Sequence, residues 1–222
     1  MTGWTEFVAA YGAFLASHAI PVRPPVKPFL TARLGKRGFS VAYSLLSLGL
    51  LVWLIVAAAR APYVEVWARA PWQNHVTLLA MTLACQILAF AAFKPNPLSF
   101  GGFRNAAFDP ARPGIVGWIR HPLLAVLALW AAGHTVPNGD LAHVLMFGGF
   151  ALFAGLGMAM IDRRKRRQMG PDAWRELVRS SRAGRSLAPG AGTILRVLAG
   201  FGLLLGLIAL HPHIIGLEAV AW

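Results

Sequence analysis

The sequence predicts an all-α fold, a polytopic transmembrane helix bundle of about six spans in one domain. Composition is the first observation behind it. The 222 residues are 57% hydrophobic and 13% charged, with a mean hydropathy of +0.58, whereas a soluble domain is about one-quarter charged. The second is a recurrence of apolar runs close to the ~20 residues that cross a bilayer. The third is the placement of the basic residues. A formal charge of +13 would suit a nucleic-acid partner in a soluble chain. In a membrane chain it is first a topology signal, because Lys and Arg gather in cytoplasmic loops, and no nucleic-acid partner is expected.

The spans fall near 4–20, 38–59, 74–93, 121–137, 141–161 and 193–212. The first is short. The fourth and fifth are separated by Pro137-Asn138-Gly139-Asp140, a tight turn that makes them an antiparallel hairpin. Segment 21–37 holds five basic residues, 94–120 holds four and 162–192 holds nine, together eighteen of the 21. Arg60 and Arg69 fall on the other side, and Arg196 opens the last span. This split predicts both termini outside and the three basic loops in the cytoplasm. Trp4, Trp67, Trp72, Trp118 and Trp222 fall near span ends, as an interfacial aromatic belt requires. The first apolar run has no basic stretch before it and no small-residue cleavage site after it, so no cleavable signal peptide is expected.

The long basic loops carry further pattern. Val26, Phe29, Leu30 and Leu34 recur at helical spacing, which predicts a short interfacial helix over 24–37. Segment 162–182 reads as a helix with Trp174, Leu177 and Val178 on one side. It is either a lipid-surface helix drawn to anionic headgroups or a lid over a cytoplasmic pocket.

Ionisable residues in membrane segments are functional candidates because burying them is costly. The topology puts His18 and His121 near the inner face and His75, His134, His143, His211 and His213 near the outer, where an imidazole can also simply be solvated. His121 and His134 share a helix about 20 Å apart and cannot hold one ion together. No zinc pattern is present, and the single Cys85 excludes an internal disulfide or a multi-cysteine site. Neutral imidazoles without thiolates suit haem iron better than a hard cation. Arg120 has a plain reading as a snorkelling interfacial arginine, and Asp162 one as a local partner of Arg163-Arg164-Lys165-Arg166-Arg167.

Phe14-Leu15-Ala16-Ser17-His18-Ala19-Ile20-Pro21-Val22-Arg23-Pro24-Pro25, then Leu34-Gly35-Lys36-Arg37-Gly38-Phe39 and Tyr43-Ser44-Leu45, resemble the NnrU family of bacterial membrane proteins associated with denitrification. The likeness runs on through Arg60-Ala61-Pro62-Tyr63, Trp72, His75, Arg120-His121-Pro122, Trp130, His134 and Asn138-Gly139. It implies a multi-pass protein of the bacterial inner membrane. More distantly, Phe14…His18, Arg120-His121-Pro122 and Trp130…His134 resemble cis-zeta-carotene isomerase, a haem b membrane enzyme. That likeness implies His18 and His134 as haem ligands and a hydrophobic polyene substrate entering from lipid. Ala131 stands where the isomerase has a cysteine, so a ligand exchange through that thiol is not expected here. If the spans stand upright, His18 with His121, or His134 with His75 or His211, are the alternative pairings.

Arg-His-Pro opening a helix, the hairpin and the basic segment also resemble isoprenylcysteine and methanethiol methyltransferases. That implies S-adenosylmethionine held by Arg120 and His121 as catalytic residues. Their usual R-H-P-x-Y-x-G reads here as Arg120-His121-Pro122-Leu123-Leu124-Ala125, with both the Tyr and the Gly absent and a lone Asp162 where Glu is frequent. A third expectation is a non-catalytic accessory factor in denitrification or haem handling.

Overall fold

The computed structural model describes residues 3–186, 190, 192–216 and 219. Its described residues form seven α-helices and no strand beyond one isolated bridge. Two compact units are distinguished, Met1–Trp67 with Gly139–Met146, and Ala68–Asn138 with Phe147–Trp222.

In the first unit α1 (Gly3–Ala19) packs against α2 (Val26–Arg60). Phe7, Ala10 and Phe14 of α1 and Leu54, Ala57 and Ala58 of α2 are buried; small residues let membrane helices approach closely. Glu6 accepts a hydrogen bond from Trp53 Nε1 at 3.4 Å and lies 3.8 Å from Arg60. The interfacial helix expected over 24–37 is the first part of α2, which leaves helical geometry at Gly35, φ +69. Lacking Cβ, glycine takes that left-handed conformation without the clash other residues meet. After α2 the chain meets the start of α5 (Leu141–Met169). Val66 N–H donates to the Gly139 carbonyl and Leu141 N–H to that of Val64, both at 2.8 Å. Asp140 Oδ1 accepts from His143 N–H at 3.2 Å, the bond of an N-cap aspartate.

In the second unit α3 (Trp72–Ala91) packs on α4 (Pro122–Thr135) and on α7 (Thr193–Ile215). Thr77 Oγ1 donates to the Gly133 carbonyl at 2.8 Å, and Gln86 Nε2 to that of Val197 at 3.2 Å. A Cβ on Gly133 would stand 2.7 Å from that of Ala80, so glycine sets the α3–α4 spacing. The rest of α5 runs antiparallel to α4. Trp130 lies against Phe147 and Phe150, Leu124 beside Gly157, and Arg120 and His121 beside Asp162. This is the hairpin expected from the tight turn. Helix α6 (Pro171–Ala183) follows Gly170.

Helices α2, α3, α5 and α7 are each long and apolar enough to cross a membrane. Exposed Leu45, Leu48 and Val52 of α2, Leu79 and Leu83 of α3, Leu152 and Leu156 of α5, and Leu198 and Leu205 of α7 give each helix an apolar exposed face, as lipid contact requires. Helices α1 and α4, with 17 and 14 residues, span about 26 and 21 Å, short of a hydrocarbon core of about 30 Å. Helix α5 continues eight residues past the predicted span end and carries Arg163–Arg167, because Arg, Lys and Gln are good helix formers. Trp72 and Trp118 of the expected belt are exposed, and Trp222 lies outside the described residues.

Candidate functional site

Arg120 and His121 precede α4, and Pro122 opens it. Proline at the first helical position needs no N–H there and has the right φ, so the two polar side chains are delivered at a fixed turn. Both converge on Asp162 of α5. Arg120 Nε donates to Asp162 Oδ1 at 2.9 Å and its Nη2 to Oδ2, a bidentate pair. His121 Nε2 donates to Asp162 Oδ1 at 3.0 Å, while its Nδ1 meets Ser99 Oγ at 3.0 Å. His121 is only 4% exposed, Arg120 and Asp162 about a fifth to a quarter. Asp162 is therefore a long-range partner, where its basic neighbours in the sequence suggested a local one.

Two residues that sequence reasoning missed complete the cluster. Asn96, buried, donates from Nδ2 to the Arg120 carbonyl at 3.0 Å and accepts from Leu98 N–H at 3.1 Å. Ser99, also buried, partners His121. Their signal was the polar pair within Pro95-Asn96-Pro97-Leu98-Ser99. Helix α6 closes over this end. The Trp174 ring lies 5.6 Å from the Arg120 guanidinium, and Val178 and Ser181 meet Leu98 and Val116 around a small cavity of about 40 Å³. The stretch 162–182, read as one helix, is the end of α5, a break at Gly170 and then α6, whose Trp174 and Val178 lie against Arg120 and the small cavity.

The second cluster lies toward the other end of α4. His134 Nδ1–H donates to the Trp130 carbonyl one turn back at 2.7 Å, and the Trp130 and Phe147 rings stand 5.6 and 5.4 Å away. Asn138 Nδ2 donates to the His134 carbonyl at 2.7 Å. A cavity of about 130 Å³ opens beside His134, lined by Asn74, Thr77, Met81, Leu204 and His211. His134 and His211 thus share a cavity, while His75 is exposed at the start of α3.

In the first unit His18 repeats this local geometry. Its Nδ1–H donates to the Phe14 carbonyl at 2.8 Å, with Ser17 Oγ at 3.2 Å, and the Phe14 and Tyr43 rings lie 4.2 and 5.9 Å away. His143 is held by Asp140 at 2.8 Å, so it has a structural task at the start of α5.

The sequence model described as NnrU protein matches residues 6–219. The chain belongs to the NnrU family. No curated protein and no solved structure matches this NnrU chain. Among its described residues no group of three His, Cys, Asp or Glu could hold a metal ion. A haem iron asks less, one or two axial side chains. His18 and His134 each suit such a role. Handing Nδ1–H to a backbone carbonyl fixes the tautomer and puts the lone pair of the neutral ring on Nε2, the arrangement usual in metal-bound histidines.

Proposed function

We propose that this NnrU protein is a six-span protein of the bacterial inner membrane, basic loops in the cytoplasm, that binds haem b through the imidazoles of His18 and His134. The observation that carries the reading is the repeated aromatic-x-x-x-His unit, in which Phe14 and Trp130 supply both the carbonyl that holds Nδ1–H and the ring that packs on the imidazole. At His134, the Trp130 carbonyl keeps the proton on Nδ1, the Trp130 and Phe147 rings limit water access, and Met81 and Leu204 give the cavity beside it an apolar wall. Bound haem b would supply one-electron redox chemistry, which the likeness to cis-zeta-carotene isomerase directs to cis–trans isomerisation of a hydrophobic polyene taken from lipid.

Soret and pyridine haemochrome spectra of purified His18→Ala and His134→Ala, beside a His134→Gly variant supplied with imidazole, test the ligands. Loss of haem in each Ala variant, with imidazole restoring the band in His134→Gly, is the expected result. Stoichiometric haem surviving both Ala substitutions would remove the assignment.

A second reading is favoured by the Arg120–His121–Asp162 cluster under α6, an S-adenosylmethionine-dependent methyltransferase site on the cytoplasmic side. Arg120 and His121 would have to turn from Asp162 toward the cofactor carboxylate. Calorimetry with S-adenosylhomocysteine separates the readings: micromolar binding lost in Arg120→Ala supports methyl transfer, and no heat of binding counts against it.

A further inference from the structure

A cleft of about 790 Å³ lies in the second unit, between the C-terminal end of α3, the loop from α3 to α4 and the first turn of α7. Neither the histidine sites nor the Asp162 cluster uses it. Its charge is one-sided. Lys94, Arg112 and Arg196 line it, and Asp109 is the one carboxylate among its described lining residues. Asp109 is spent on Arg112, at 3.3 Å, which leaves a surplus of two positive charges. Arg196 is held in place, its Nη1 donating to the Ala89 and Phe90 carbonyls at the end of α3. Helix α7 begins at the cleft with Gly192 as N-cap and no acidic residue in its first turn, so the positive end of its dipole adds to the field.

The walls are apolar. Phe90, Phe108 and Trp118 stand in them, with the Arg185 guanidinium 5.0 Å above the Trp118 ring. Around the cleft the same loop exposes Phe93, Phe100 and Phe103, Phe93 at 85%. Exposed aromatics beside cations, at the ends of two helices long enough to cross a membrane, are the signature of headgroup depth. Basic pockets between such helices take the phosphates of anionic lipids.

We infer that this cleft binds the phosphate of an anionic membrane lipid, with Lys94 and Arg196 on the phosphate and Phe90 and Trp118 along the glycerol and upper acyl chain. A soluble phosphate would gain nothing from those rings, which is why the assignment is to lipid. The site stands independently of the haem reading.

Native mass spectrometry of the full chain released from detergent, titrated with phosphatidylglycerol or phosphatidylcholine, tests it. The first phosphatidylglycerol is expected to bind at least about fivefold tighter than phosphatidylcholine. Lys94→Gln and Arg196→Gln should each lose about fivefold, the worth of one interfacial cation. Arg163→Gln, in the basic run and outside the cleft lining, should lose little. Arg196 also braces α3, so the exposed Lys94 carries the test if Arg196→Gln fails to fold. Equal affinity for the two lipids, or a preference unchanged in Lys94→Gln, would overturn the site. Displacement of phosphatidylglycerol by equimolar inorganic pyrophosphate would overturn the lipid assignment.

Discussion

Replacing Asp162 by Ala leaves the Arg120 guanidinium and the His121 N–H facing a gap under α6. Three donor contacts are lost at once, two from Arg120 and one from His121. Exposed ion pairs contribute about 0–1 kcal/mol, whereas breaking a buried one by removing a partner costs about 3–5 kcal/mol. With Arg120 24%, Asp162 22% and His121 4% exposed, the cluster sits nearer the buried limit, and a loss of about 2–3 kcal/mol follows. For a chain of this size that lowers Tm by about 5–10 °C. The assay is a double-mutant cycle of Asp162→Ala and Arg120→Ala in one detergent, read by thermal unfolding and by tryptic cleavage at Arg175, Arg179 and Arg182 on α6. A coupling of about 1 kcal/mol or more, with faster cleavage in either single variant, is expected. Additive effects with unchanged cleavage would refute the claim that Asp162 joins α4 to α5 and steadies α6.

Trp174 Nε1 is buried and finds no hydrogen-bond partner among the described residues. Trp174→Phe should therefore be neutral or raise Tm by a degree or two, since it removes an unsatisfied donor and keeps a ring over Arg120, while Trp174→Ala should lower Tm; a marked loss in Trp174→Phe would show that the N–H has a task. Gly133→Val should cost about 2–3 kcal/mol by forcing α3 and α4 apart at Ala80 and stretching the Thr77 bond, and thermal unfolding close to that of the parent would refute the close approach.

Much of the fold was legible because membrane helices announce themselves by length and apolarity. Leu141–Ile161 and Thr193–Pro212 read directly as helices, and Pro137–Asp140 read as the hairpin turn. The helix ends were less legible. Arg163–Arg167 ended a span by charge but not a helix, because arginine and lysine hold helical backbone as well as leucine does. At the sites, His18, Arg120, His121 and His134 stood out because ionisable groups are rare in apolar segments. Asp162 did not, since five basic neighbours offered a nearer explanation and its true partners lie 41 and 42 residues back. Asn96 and Ser99 were hidden for another reason. They are buried positions of a largely exposed loop whose path depends on where α3 and α4 place its ends.

Haem binding is decided by the haem content of the wild-type protein, purified from haem-replete cells and measured by pyridine haemochrome against protein concentration. One haem b per chain with a low-spin bis-imidazole spectrum is the expected result. A colourless protein under those conditions would contradict it.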